Sequence, residues 1–364
     1  MKSLLFLLLL LLFSFTLTAQ SQKINESDTL SFNPSIEAVK DTLPEINIFD
    51  DDTPMNLTLT YDITSWIRQK MKGEYLNAEL HIDYKNYQTT KNIRLKARGN
   101  NRKETCFFPP IYLNFKTDPI KQTELEGIRK IKLVTHCSTA KSYTNYLLRE
   151  YLVYKLYNIL SDHSFRVKLL NIEYIDTGKK ERHYKKYGIL IEPIELLTKR
   201  TNSIEIDGKF IDGSKVFTEH ADVVALFRYM IGDTDWRIKG GHNTKYLKSL
   251  TKVTDKSIPV PYDFDYAGFV GTSYAIPQEW TSIDNTKERE YLGYCRNNEE
   301  DYIKTMNLFN SKKEEILETI DTFEYLDERN RKQLISYIER FYDQIRRPER
   351  FVYVMENQCR DLDF

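Results

Sequence analysis

The sequence predicts an α+β protein with a β-rich N-terminal lobe and a mostly helical C-terminal lobe. Three observations point there. Between Met55 and Val134, apolar and polar residues alternate in short runs, the period of half-buried strands. From Tyr143 onward, apolar residues recur at helical spacing, and beyond Tyr302 this pattern dominates. Gly (13) and Pro (11) are too scarce in 364 residues for repeats or long flexible linkers. With 41% hydrophobic residues, 25 Tyr and 19 Phe, the chain can bury a large core. At roughly 100–200 residues per domain, one large domain or two intimate ones are expected.

Residues 1–19 read as a signal peptide. Lys2 supplies the positive start, Leu4 to Phe13 the apolar run, and Leu17-Thr18-Ala19 the small residues before a cut ahead of Gln20. The apolar run is shorter than the roughly 20 residues a membrane span needs, and no later segment is apolar enough. Residues 20–53 are polar with isolated hydrophobics and read as a flexible leader. The β-rich lobe with one long helix then covers residues 54–200, and the helical lobe 201–364.

Within the first lobe, strands are predicted at Met55 to Tyr61, Ala78 to Tyr84, Ile93 to Ala97, Ile111 to Phe115 and Ile131 to Val134, mostly antiparallel. Asp62 to Ser65 can cap a short helix through Trp66. The long helix runs from Tyr143 to Leu160, followed by strands at Val167 to Tyr174 and Tyr187 to Ile191. In the second lobe, Ala221 to Ile231 is an apolar helix stopped by Gly232. Helices at Tyr302 to Phe309, Glu314 to Ile320 and Arg329 to Ile345 follow, and Pro348 ends the last.

Charge narrows the partners. Lys+Arg and Asp+Glu both number 53, and losing Lys2 with the signal leaves the mature chain about one unit acidic. Nucleic-acid binding, which favours a basic excess, is not expected. Export places Cys106, Cys137, Cys295 and Cys359 in an oxidising compartment. Of the three connectivities, Cys106–Cys137 and Cys295–Cys359 are favoured, because each closes a modest loop within one region. No CxxC suggests a zinc site.

Chemistry concentrates in two loops. Gly232-Asp233-Thr234-Asp235-Trp236 precedes His242-Asn243, and Pro261-Tyr262-Asp263-Phe264-Asp265 follows. Aspartates at i and i+2 on an extended segment share a face. Like charges that close cost free energy unless a cation or a basic side chain compensates; Arg98, Arg237 or Lys239 could serve, and Mg²⁺ with phosphate oxygens is a natural cation. Phosphoryl transfer needs an Asp at the attacking hydroxyl, an Asn and a second Asp on the metal, and a cation on the phosphates. Asp235, Asn243 and Asp263 supply the first three in that order, with Asp265 the rival metal ligand. Arg98 and Lys116, each ending a strand, are the candidate phosphate contacts. Glu150 in the long helix is the candidate partner of Lys116, and Glu192 ends the strand Gly188 to Ile191.

These features resemble the CotH family, exported or spore-coat proteins with an atypical protein-kinase-like fold. The resemblance rests on Arg98-Gly99-Asn100, the helix from Tyr143, Tyr187 to Ile194, the Gly-Asp-Thr-Asp-Trp segment with Asn243, and Pro261 to Asp265. It spans roughly residues 90 to 270. The chain is similar, more closely still, to uncharacterised exported bacterial proteins with the same motif order. The resemblance implies a two-lobed kinase-like fold, Asp235 as the catalytic aspartate, Asn243 and Asp263 as metal ligands, and Mg²⁺ and ATP as cofactors with a protein substrate. Asp233 departs from the family's usual Asn, and no GxGxxG loop is present. Two other readings stand on the same residues: a non-catalytic envelope binding protein, and a metal-dependent hydrolase.

Overall fold

The first strand, β1 (Met55–Tyr61), alternates buried and part-exposed residues along its whole length, so one face is committed to a core. It is the first stave of a barrel. The others are β2 (Leu76–Tyr84), β3 (Tyr87–Ala97), β4 (Ile111–Asn114), β5 (Lys130–Val134), β6 (Val167–Asp176) and β7 (His183–Ile191). Their order is β1-β2-β3-β4-β5-β7-β6, closed by β6 lying parallel to β1. Every other neighbouring pair is antiparallel. The structure is a computed structural model and describes residues 46–99, 101–178 and 181–363. The signal peptide and residues 20–45 of the leader lie outside the described residues, as does Asn100.

The barrel interior is apolar, with Leu59, Leu80, Leu95, Leu113, Leu133 and Leu170 all nearly inaccessible. Gly188 on β7 is required there. A Cβ at that position would sit 2.5 Å from Ile172 Cδ1 and 3.1 Å from Leu133 Cδ1. Successive side chains alternate faces, so the outer face of β5, β6 and β7 presents a second apolar set: Val134, Leu169, Ile189 and Ile191. Helix α3 (Lys141–Leu160) packs on it. From Leu147 to Leu160 most of its residues are buried, and its polar side chains are concentrated in the first turns.

The shorter helices of the first part are α1 (Ile63–Gln69) and α2 (Asn101–Thr105). After the barrel come α4 (Ile194–Arg200), a three-stranded sheet of β8 (Ser203–Ile206), β9 (Thr244–Ser249) and β10 (Ile258–Pro261), and α5 (Thr218–Ile231). Helices α6 (Glu299–Ser311), α7 (Lys313–Asp321), α8 (Glu328–Ile345) and α9 (Pro348–Gln358) complete the chain. Gly232 ends α5 in the left-handed conformation, at φ 65. One core cluster runs continuously from Val134 through α3 and α5 to Met355.

The α+β composition is as expected, but the two-lobed kinase-like architecture is not found. The strands close into a seven-stranded barrel instead of forming a separate lobe. The barrel's outer face shares one core with the C-terminal helices. Closure satisfies both sheet edges, which an open lobe would leave unpaired. Three local readings also change. Ile48 and Phe49 are buried, and Ile46 bridges to Thr123, so the chain is docked before residue 54. Asp263 to Asp265 is not a strand, because β10 stops at Pro261. Pro348 begins α9 at its first turn, where its missing N–H costs nothing.

Both expected disulfides form, Cys106–Cys137 and Cys295–Cys359, closing 31 and 64 residues of sequence. Among the described residues no helix is long and apolar enough to cross a membrane. Both facts are compatible with an extracytoplasmic location.

His136, next to Cys137, is packed between the rings of Phe108 and Tyr174, and neither ring nitrogen has a hydrogen-bond partner. Burial, aided by Lys186, pushes its pKa down to about 3. The unfolded chain protonates it near 6.5. Neutral His136 therefore supports the fold above about pH 6.5, and this support is lost as pH falls toward 3. His136→Phe is expected to remove up to about 1.4 kcal/mol per pH unit from the acid side of the stability curve. Urea titrations at several pH values measure it; an unchanged slope would contradict the assignment.

Candidate functional site

The two motif loops are drawn together by β9 and β10. Thr244 pairs with Pro261, so the residues just outside that pair are Asn243 and Tyr262, and Asp263 is the next residue along. Tyr262 N–H donates to the Asn243 carbonyl at 3.1 Å. Asn243 and Asp263 both have positive φ, 51 and 61, a conformation that few non-glycine residues adopt. Arg228 of α5 holds them there. Its guanidinium, fully buried, donates to the carbonyls of Asn243 at 2.6 Å and Tyr262 at 3.1 Å, and pairs with Asp233. The Phe264 ring lies 4.7 Å from it. Burial pushes the Asp233 carboxyl pKa up, and Arg228 opposes this. Asp233 is thus a structural anion locking the clamp.

Asp235 follows in the same turn. Its Oδ2 accepts from Asn243 Nδ2 at 3.0 Å, and its Oδ1 lies 2.7 Å from His242 Nε2. Because the Asn243 amide nitrogen is spent on Asp235, its Oδ1 is the free end. Among the described residues neither that oxygen nor the Asp263 carboxylate carries a hydrogen bond or ion pair. Asp263 is fixed through its backbone instead, its N–H donating to Tyr154 Oη at 3.0 Å.

Behind Asp263 lies a buried charge cluster. Gly99 turns the chain at φ 83 after Arg98, and α2 then carries Arg102 inward. Arg102 Nη1 is 3.4 Å from Glu150 Oε2 and its Nε 3.8 Å from Asp265 Oδ2. It also donates to the Thr135 carbonyl at 3.2 Å. Tyr274 donates to Asp265 at 3.0 Å. Burial pushes Glu150 up to about 7, against the pull of Arg102 and with the push of Asp263. Burial also raises Asp265 well above the usual carboxylate range, with Asp263 adding to it. Glu150 Oε1 is buried without a hydrogen-bond partner.

The opposite wall is cationic. On the outer face of the barrel, Lys96, Tyr112 and Lys132 share one rung of the sheet. Arg98 lies over the Tyr112 ring at 5.7 Å, and Lys132 over Tyr262 at 5.1 Å. Burial, with Arg98 and Lys245 nearby, lowers the Lys132 pKa to about 8, while Asp263 acts in the other direction. Arg98 and Lys132 have no ion pair among the described residues.

The structure therefore brings together Arg98, Glu150, Asp235, Asn243, Asp263 and Asp265. It leaves out two expected residues. Lys116 is exposed beyond β4, and Glu150 is engaged by Arg102 instead. Glu192 is buried, but it binds Arg166 and Arg200 at 2.9 and 3.0 Å, away from the loops. Sequence reasoning missed Arg102, Lys132, Arg228 and Tyr154. Two of them had a signal: Arg228 is a charge inside the apolar helix α5, and Lys132 a charge flanked by the barrel-core residues Ile131 and Leu133.

No cluster of three or more His, Cys, Asp or Glu side chains suited to a metal is present among the described residues. The donors that fit a hard cation are the Asp263 carboxylate and the Asn243 amide oxygen. Such a pair suits Mg²⁺, which takes few protein oxygens and completes its shell with phosphate and water. No protein-family model matches this chain, and no curated protein matches it.

Proposed function

We propose that the chain is an exported phosphotransferase that uses Mg²⁺ and ATP to phosphorylate a hydroxyl of a protein substrate. One observation carries this reading. Asn243 and Asp263, whose side-chain oxygens carry no hydrogen bond or ion pair among the described residues, lie in left-handed backbone on two segments that Arg228 ties together through the carbonyls of Asn243 and Tyr262, and Tyr262 in turn lies under Lys132. The barrel fold lends no support of its own, because folds do not specify chemistry. The motif order resembling CotH proteins supports the reading, as do the signal-like residues 1–19 for export with cleavage after Ala19.

In this reading Asn243 and Asp263 hold the cation, whose charge would offset that of the phosphates. Arg98 and Lys132 contact phosphate oxygens from the other wall. Asp235 accepts the proton of the attacking hydroxyl, positioned by His242 on one oxygen and Asn243 on the other. Asp265 and Glu150, neutralised by Arg102, support the floor without touching substrate.

The test uses the purified mature protein, with Mg-ATP binding by calorimetry and phosphate incorporation into candidate proteins. Lys132→Met is expected to lower kcat/KM about 10–100-fold with the melting temperature unchanged. A second reading, a non-catalytic envelope binding protein, draws on Arg102, an internal cation already seated between Glu150 and Asp265. It expects no heat with Mg-ATP, no incorporation, and no response to EDTA beyond a lower melting temperature.

A further inference from the structure

Arg149 precedes Glu150 in α3 and so projects about 100° around the helix from it. Where Glu150 faces the buried charge cluster, Arg149 faces a separate cleft of about 990 Å³. One side of this cleft is the segment Gly268–Gly271, which begins three residues after Asp265. The other is α8, whose Arg329, Lys332 and Arg340 line it. Lys287 closes the rim. Five cations face one acidic residue, Glu328, and that residue is already paired with Lys332 at 2.6 Å. Arg149, Lys287, Arg329 and Arg340 have no ion-pair partner among the described residues. Arg149 Nε is buried and carries no hydrogen bond.

Glu328 and Asp327 compensate these five cations only in part, and such a concentration of like charge is unfavourable unless an external anion completes it. Guanidinium groups favour phosphate, which they can grip with paired N–H bonds. We infer that this cleft is a second, separate binding site for a phosphate dianion, free or as a phosphorylated side chain, and that its occupancy stiffens the segment after Asp265. The link runs through Arg149. Its Nη1 donates to the Val270 carbonyl at 3.3 Å and its Nη2 to Asn330 Oδ1 at 2.5 Å. The turn it holds is knitted back to Asp265: Val270 and Gly271 N–H donate to Ala267, and Thr272 Oγ1 donates to the Asp265 carbonyl. An anion that fixes Arg149 fixes Val270 and, through this turn, the backbone of Asp265.

The inference does not depend on phosphotransfer, and its test reads binding alone. Inorganic phosphate at about ten times its Kd is expected to raise the melting temperature by about 2 °C over chloride of equal ionic strength. Hydrogen exchange of the amides of residues 267–272 is expected to slow at the same time. The double variant Arg329→Ser with Arg340→Ser changes two exposed side chains and should fold normally. It is expected to lose both effects, whereas Lys132→Met, on the other wall of the molecule's charged site, keeps them. A phosphoserine peptide that binds at least tenfold tighter than phosphate identifies the ligand as a phosphorylated chain; equal affinity identifies it as the free ion. No thermal shift, or a shift that survives in the double variant, overturns the site. A shift without slower exchange overturns the coupling to Asp265.

Discussion

Arg102→Met is expected to destabilise the protein by about 3–5 kcal/mol near neutral pH, because it strands two buried carboxyls without their cation. The loss has a direction in pH. Glu150 and Asp265 already titrate above their ordinary range. A carboxyl with a raised folded pKa supports the fold fully below its unfolded value, near 4.5 for Glu, and that support is lost as pH rises through about 7. Without Arg102 both groups rise further, so the deficit should shrink as pH falls below about 7 and widen above it. Glu150→Gln in the same chain should recover a large part of the loss at neutral pH. Denaturant unfolding of wild type, the single variant and the double variant across pH measures this; a deficit independent of pH would show that Arg102 acts by packing alone.

Asp235→Asn is expected to lower phosphate incorporation about 10²–10⁴-fold while leaving nucleotide affinity and melting temperature near wild type. Asparagine keeps an acceptor for Asn243, loses the capacity to take a proton, and turns its amide N–H toward His242, which can accept it in the other tautomer. Asp263→Ala is expected to act differently, abolishing both turnover and any stabilisation by Mg²⁺ with ATP. Its carboxylate makes no hydrogen bond or ion pair among the described residues, so the cost to the fold is confined to alanine in left-handed backbone, about 1 kcal/mol. Should Asp263→Ala leave metal-dependent stabilisation intact, the cation does not sit there, and the binding-protein reading gains.

Strands, long helices and disulfides were legible because their signals are local. Alternation from Met55, helical spacing from Tyr143 and Gly232 after an apolar run each depend on neighbours a few residues away. The closing contact of the barrel was not legible, since nothing near Met55 announces a partner at Leu170. The alternation of Asp263, Phe264 and Asp265 misled for a related reason. It looks like a strand, but Asp263 is left-handed, and the two carboxyls differ in burial. Asn243 and Asp263 were identifiable by type, whereas the clamp that unites them required Arg228 to reach across from another helix. Lys116 failed as a candidate because a strand-end lysine has no local mark separating it from Lys132, which faces the loops from the sheet itself.

The parallel seam between β1 and β6 also sets an order of events. Asn56 and Asn171 touch across it, 115 residues apart in sequence. During synthesis β1 emerges first, pairs with β2, and then waits with its other edge bare until β6 arrives. Contacts so distant slow the search for the native topology, and a bare edge recruits other strands in the interval. The barrel is sealed only when its last stave in sequence, β7, slots between β5 and β6, and a nascent chain that ends before Ile191 is an open, adhesive sheet.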